Sequence, residues 1–511
     1  MGRALQRFLS QSGIALISTF AAIIAYLALE VYSRRRVTHM LSHSVRPALP
    51  PFWVRGMDGE NAPQCMAMRG DPTPDPKAFP YSDELASRVQ ITKFCEDVKI
   101  DTTLDVALLA CDPGRAEWDI VFGPAKSPEY RGALWFLDYQ ASNSPTPQLL
   151  PIDDFPDDRS FHPLGINVHA TSQDTARIFV VNNAAVVSTI EVFDMDRTDD
   201  GWRGRFVRTI FTPVGTYGAD AVWPIDANRI LVSNMHVYFH RVSPYDATVE
   251  MVRGVFGSWA ARWFERNHVD GQFPSYVSFS EDLIGSGWVS HIAFDDEIAA
   301  HDGYDWRAAE AGTETELVVS GIKFANGIQL TPDKKHLVLG ETGMAAVLLY
   351  PVLSENPTWE RAERLGKALV LPVPFLADNV FLTPPQNDAD VLPEDPLQGY
   401  SILTAGHPSA LDMEESLKGN GTAPSWVVQI YYDPAQPKDQ APAPANELGF
   451  TPAHNFTVQS LLITKGANTP DAPSVASSSG VSWDPTYRGR GTFMVAGLYS
   501  DDPLICRGMH T

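Results

Sequence analysis

Basic charge is what this chain has least of. Its 511 residues hold 39 Lys and Arg against 62 Asp and Glu, a net charge of −23 and a pI near 4.9. Nucleic-acid binding needs clustered Lys and Arg, so this balance argues against it. A solvated surface of the secreted type accounts for the acidity. Cysteine is sparse as well. Cys65, Cys95, Cys111 and Cys506 form no Cys-x-x-Cys pair, which argues against zinc ribbons and thioredoxin-like redox sites. No Gly-x-Ser-x-Gly elbow occurs, so a serine α/β-hydrolase is not expected. His236 and His240 lack the Glu of a zinc-protease helix and lie on a strand-like run. Arg488-Gly489-Arg490-Gly491 reads as a loop, with no strand-to-helix setting for phosphate.

Long helical periodicity is also rare, and short apolar runs bounded by Gly, Pro, Asp and Asn take its place. Ala133–Tyr139, Ile178–Asn182, Thr189–Phe193, Ile230–Ser233, Leu317–Ile322, His336–Gly340, Ala345–Val352, Trp426–Tyr432 and Thr492–Leu498 are examples. Their spacing points to an all-β sandwich, barrel or propeller. A single pair of sheets rarely absorbs a body this long, whereas a propeller does so by adding four-stranded blades. Blade-level repeats are not visible in the residues themselves. Val255–Asn267 departs from the pattern: Phe256, Trp259, Trp263 and Phe264 recur at helical spacing, with Arg262 and Arg266 opposite. Such a helix either covers the core or forms a lid over a pocket mouth. Pro384–Gln398 and Pro434–Glu447 read as surface loops.

One apolar run, Gly13–Leu29, spans 17 residues, near the lower limit for crossing a bilayer. Arg3 and Arg7 precede it, Arg34–Arg36 follow it, and no small-x-small cleavage site ends it. The reading is a signal anchor over 1–36, a Pro-rich linker over 37–91 and a globular domain over 92–511. Charge on both flanks leaves the orientation open. The sequons at Asn420 and Asn455 favour a lumenal or extracellular body and mark two glycosylation candidates.

The chemistry sits in two patches. Phe324-Ala325-Asn326-Gly327-Ile328 and Leu376-Ala377-Asp378-Asn379-Val380 each place side-chain oxygens inside a strand-like run. Buried oxygen donors suit a hard cation such as calcium, which takes six to eight oxygens. Other marks follow in order. They are Phe161-His162-Pro163-Leu164-Gly165-Ile166, then Val181-Asn182-Asn183 with Ser188–Phe193, then Gly218–Val222, Ser233-Asn234-Met235-His236, Gly406-His407-Pro408 and a closing Leu504-Ile505-Cys506.

In this order the marks, running from about Cys95 to Cys506, resemble the paraoxonase/arylesterase family of calcium-dependent lactone and ester hydrolases. The resemblance implies a six-bladed β-propeller and a disulfide between Cys95 and Cys506. It implies a structural calcium held by Asp105, the Ile166 carbonyl and Asp220. The family's catalytic calcium ligands fall on Leu104, Ala219, Asn326, Asp378 and Asn379, of which only the last three coordinate. Its histidine pair falls on Leu164 and Asn183, so no base stands there, and His236 and His407 become the acid–base candidates. The implied activity is calcium-dependent hydrolysis of a small hydrophobic ester or lactone. A pocket turned to condensation, cyclisation or ligand binding, and a membrane-tethered interaction module, are the alternatives.

Overall fold

The computed structural model describes residues 49–59, 62–70 and most of 92–509. The largest stretches outside the described residues are 1–23, 29–48, 71–91, 268–284 and 434–454. Among the described residues six sheets, antiparallel apart from a short parallel pairing of Ile152–Asp153 with Gly201–Ile210, form the blades of a β-propeller. The first strand of each blade is innermost: Cys95–Asp101, Pro163–Ala170, Ala219–Asp226, Ala325–Leu330, Leu376–Thr383 and Ser478–Asp484, numbered here as blades 1 to 6. Consecutive inner strands contact one another, and the sixth contacts the first, which closes the ring. Apolar residues on both faces of the blades fill the layers between them, with Trp135, Trp288 and Trp483 fully buried in blades 1, 3 and 6. Each such side chain contributes roughly 1.5–3 kcal/mol or more by leaving water.

The inner strands share a feature that the residues do not advertise. Each breaks register with its neighbour near its start, between Cys95 and Asp97, Pro163 and Ile166, Ala219 and Val222, Ala325 and Ile328, Ala377 and Val380, and Ser478 and Val481. A bulge of this kind re-aims the side chains it contains. Here it gives every blade a two-residue segment at the axis, polar or small except at Leu164: Glu96-Asp97, Leu164-Gly165, Asp220-Ala221, Asn326-Gly327, Asp378-Asn379 and Ser479-Gly480. Glycine is needed where these segments meet. A Cβ on Gly327 would stand 2.4 Å from the Asn379 Cα, and one on Gly480 would stand 2.7 Å from the Asp97 Cα. Successive large and small residues therefore mesh around the axis.

The ring closes differently from expectation. Cys65, not Cys95, is joined to Cys506, while Cys95 is joined to Cys111. The reason is register. Cys95 and Cys111 face each other across the first hairpin of blade 1, and Cys65 faces Cys506 across the outer pair of blade 6. Gln64–Ala67 supplies the fourth strand of blade 6, and Phe52–Val54 adds a fifth to blade 5. Part of the segment expected as a linker thus belongs to the propeller. Chain-entropy reasoning assigns about 6 kcal/mol to the 441-residue closure and about 3 kcal/mol to the 16-residue one, before strain. Two disulfides fit a secretory or extracellular setting.

Among the described residues no helix is long and apolar enough to cross a membrane. The run Gly13–Leu29 lies almost wholly outside the described residues, as does Asn420. Asn455 is half-buried, in the left-handed region (φ 68°) just before the strand Phe456–Thr464. The expected helix is two helices, Tyr245–Phe256 and Ser258–Asn267, broken at Gly257, where φ is 88°. Phe264 packs into the core and Trp259 stays 75% exposed. Neither helix contributes to the central pocket described below, so the lid reading finds no footing there.

Candidate functional site

A cavity of about 250 Å³ opens at the end of the axis where the inner strands begin. Its floor includes Glu96, Leu164, Asp220, Asn326 and Asp378, the leading bulge residues of five consecutive blades. Its wall is mostly apolar: Trp118, Ile120, Val121, Met235, Phe324 and Leu498 line it. Phe324 enters its strand with φ at 66°, a conformation a bulky residue adopts only when the surroundings impose it.

The floor concentrates negative charge. Glu96, Asp97, Asp220 and Asp378 are all at least nine-tenths buried. Burial raises the Glu96 carboxyl well above its ordinary range, and Asp97, Asp378 and Asp220 push it further up. Asp220 is likewise held well above its usual range, by burial first and then by Asp378 and Asp97. Asp97 is raised by burial, against the pull of Lys99, whose Nζ lies 3.3 Å away. Arg115 opposes the rise at both Glu96 and Asp220.

Hydrogen bonds fix these groups only in part. Asn379 Nδ2 donates to Glu96 Oε1 at 2.6 Å, and the Ile166 amide donates to Asp97 Oδ2 at 3.2 Å. Asn326 Nδ2 donates to Thr342 Oγ1 at 3.2 Å, and its Oδ1 accepts from Gly327. His407 Nε2 lies 2.7 Å from Asp378 Oδ2. Two carboxylate oxygens, Glu96 Oε2 and Asp220 Oδ2, are buried with no partner. A buried carboxylate oxygen without a donor is costly unless a cation or water takes the place. The donors gathered here are carboxylates and amides, the hard oxygen set that calcium prefers. Among the described residues no three His, Cys, Asp or Glu side chains stand at metal-ligating spacing. A cation held here would need Asn326 and Asn379 as well as the acids.

Asp220, Asn326 and Asp378 line the cavity, Asn379 bonds to Glu96, and the Ile166 amide bonds to Asp97. Leu104 and Asp105 are elsewhere. They sit in the turn of the first hairpin, where Leu104 is buried in a core between blades 1 and 2. Asp105 is exposed and accepts from Gln140 at 2.7 Å. The blade 1 carboxylates at the axis are Glu96 and Asp97, eight residues earlier in the chain. A readable signal existed: Cys95-Glu96-Asp97 repeats the small–polar–polar or small–polar–small pattern of Ala219-Asp220-Ala221, Ala325-Asn326-Gly327 and Ala377-Asp378-Asn379. Ala219 is apolar and buried, and blade 3 offers no amide there. His407 lines the cavity. His236 does not; it stacks on Phe239 at 4.7 Å and packs on Phe324 at 5.2 Å. Asp112, Arg115 and His162 also line the cavity, and nothing in their local sequence marks them for a role there.

Residues 124–213 match the Arylesterase family. Serum paraoxonase/arylesterase 2 of Canis lupus familiaris is 22% identical over 265 residues, 51% of this chain and 57% of that protein. Both matches fit a divergent relative of the paraoxonase/arylesterase family. It spans a little over half the length of that curated relative. Among solved structures, the luciferin-regenerating enzyme is 9% identical over 82% of this chain and 91% of that one, with a TM-score of 0.39. A periplasmic gluconolactonase of Pseudomonas aeruginosa is 11% identical, covering 88% of this chain and 96% of that one, with a TM-score of 0.35. Regucalcin, a calcium-binding protein of Agrobacterium tumefaciens, is 12% identical over 79% and 96%, with a TM-score of 0.31.

Proposed function

We propose that this paraoxonase/arylesterase-like chain is a calcium-dependent hydrolase of small hydrophobic esters or lactones. The observation that carries the reading is the floor of the pocket: the buried carboxylates of Glu96, Asp220 and Asp378, two with unpartnered oxygens, beneath an apolar wall, with Asp97 next to Glu96 in the chain. Glu96, Asn326, Asp378 and Asn379 would hold one cation, and Asp97, Asp220 and the Ile166 carbonyl a second. A bound calcium polarises an acyl carbonyl and stabilises charge on its oxygen. The chain's own residues do the rest. Met235, Phe324, Trp118 and Leu498 take the apolar body of the substrate and exclude water from it. Arg115 and Lys99 temper the negative field, so that a neutral substrate is admitted and its carboxylate product repelled.

Glu96 improves the case over the ligand set anticipated from the residues alone, because only Ala219 is then without an oxygen donor. The test is turnover of a lactone and aryl-ester panel in calcium and in chelator. The expected result is calcium-dependent hydrolysis that Asp378→Ala abolishes. Hydrolysis that survives both chelation and Asp378→Ala would refute the assignment.

A second reading has one observation behind it. Leu164 and Asn183 line the pocket at the two positions where the family carries its histidine pair. Loss of both bases favours a pocket used for a non-hydrolytic condensation or cyclisation, or for binding a hydrophobic small molecule. Product analysis separates the readings. The propeller's place is lumenal or extracellular, tethered by residues 13–29 if these stay uncleaved. Glycans at Asn420 and Asn455 belong to the same proposal.

A further inference from the structure

Where the family carries the second of its histidines, this chain builds an amide into the cavity wall. Asn183 ends the strand Thr175–Asn183, is 5% exposed and lines the cavity. Its backbone is bonded on both sides. The nitrogen donates to the His162 carbonyl at 3.0 Å, and the carbonyl accepts from Trp118 Nε1 at 2.9 Å. Its side chain is bonded at one end only. Ser188 Oγ donates to Asn183 Oδ1 at 2.8 Å, and among the described residues Nδ2 has no acceptor.

The Ser188 bond decides which way the amide faces. Arg241 Nη2 donates to Ser188 Oγ at 2.7 Å, and the same guanidinium is held by the Ala184 carbonyl at 2.9 Å and the Tyr217 carbonyl at 3.3 Å. A guanidinium only donates, so Ser188 receives that bond and gives its single proton to Asn183. The Asn183 atom facing Ser188 is therefore an acceptor, which makes it Oδ1 and turns the two N–H groups of Nδ2 the other way. Leu164 and Trp118, on the same wall, carry no side-chain acceptor for them. A buried amide donor without an acceptor costs free energy that a ligand oxygen restores.

We propose that Asn183 is a specificity-determining residue of this pocket, whose Nδ2 donates to an oxygen on the body of the bound molecule, apart from the reacting carbonyl. Ser188 is its positioning residue. The inference rests on the hydrolase reading above and names a substrate class within it: neutral esters or lactones whose apolar body carries a keto or ether oxygen. An amide neither takes nor gives up a proton at neutral pH, so this contact selects and orients, and leaves the bond-breaking steps to other groups.

The experiment uses the full chain with calcium and paired alkyl-substituted δ-valerolactones. The members of a pair differ at one side-chain carbon, a ketone in one and a methylene in the other, and the pairs scan that carbon along the side chain. At one position the wild type should prefer the ketone by about 10-fold in kcat/KM, mostly through KM, the worth of one neutral hydrogen bond. Asn183→Leu should bring that ratio to about one, and Ser188→Ala, which frees the amide to turn, should lower it several-fold. Both variants should keep the calcium-induced rise in Tm, and Ser188→Ala carries the test if Asn183→Leu does not fold. A wild-type ratio near one at every position, or a ratio that neither variant changes, would overturn the proposal. If the wild type opens no lactone, the hydrolase reading fails by itself, and the same pairs are then read as ligands. The ketone should raise the Tm more than the methylene in the wild type and not in Asn183→Leu. Equal rises in the wild type would overturn the assignment.

Discussion

Two buried acids in this propeller sit in opposite circumstances. Glu191, in blade 2, is fully enclosed, and both its oxygens are occupied. Oε1 accepts from Asn182 at 2.9 Å and Thr189 at 2.7 Å, and Oε2 accepts from Thr209 at 2.6 Å, with Arg159 at 3.6 Å. Glu96, at the axis, has one oxygen bonded to Asn379 and one with no partner, and it faces three further acids. A closed network of this kind fastens a blade; an open one holds places for a ligand. The same residue type, equally buried, is thus fully bonded at one site and keeps an open acceptor at the other.

Substitution at the two acids should break the comparison in opposite directions. The largest effect belongs to Glu191→Ala, which strips the buried Asn182, Thr189 and Thr209 of their shared acceptor and should cost about 3 kcal/mol or more. Thermal or denaturant unfolding should show that loss equally in calcium and in chelator. Gly327→Ala comes next. Its Cβ would meet the Asn379 Cα at 2.4 Å and the Val380 nitrogen at 2.5 Å, so the backbone of blade 5 must shift. We expect about 1–3 kcal/mol of destabilisation by overpacking, together with a weakened calcium response. Glu96→Gln should do the reverse of Glu191→Ala: it removes repulsion and raises the Tm in chelator at neutral pH, while shrinking the gain that calcium brings.

The smallest effect is one of pH. Glu96, Asp97 and Asp220 have folded-state pKa values above their unfolded ones. Between the two values the folded chain holds more protons than the unfolded chain, so stability falls as pH rises through that window. In chelator the protein should therefore lose stability as pH climbs from the ordinary carboxylate range, near 4, toward neutrality. Glu96→Gln should flatten that slope, and a stability curve rising over the same interval would contradict the assignment.

The residues alone made much of this legible. The strand-like runs lie within or overlap strands, except the one expected to carry His236 and His240, which follows the end of the strand Arg229–Asn234; Asp220, Asn326, Asp378 and Asn379 fall at the axis, because a polar residue inside an apolar strand needs a reason to face inward. What escaped was set by pairing. Glu96 and Asp97 reach the axis only because a bulge follows Cys95, and a bulge depends on the partner strand rather than on local composition. The same hairpin brings Cys95 to Cys111, which freed Cys506 for a cysteine in a segment expected to be a linker. His162 and Asp112 are 50 residues apart and meet only when blades 1 and 2 pack. The sixfold repeat is likewise one of backbone position: Leu164-Gly165 and Asp378-Asn379 share a place in the ring without sharing chemistry.

Calcium binding at the axial cluster is the claim on which the rest depends, and calcium titration followed by thermal unfolding, in wild type and Glu96→Gln, tests it most directly. A site filled at a hundred times its Kd stabilises by about 2.7 kcal/mol. The wild-type Tm should climb with the logarithm of free calcium, and the Glu96→Gln response should be smaller and begin at higher concentration. A wild-type Tm indifferent to calcium and to chelator would contradict the account.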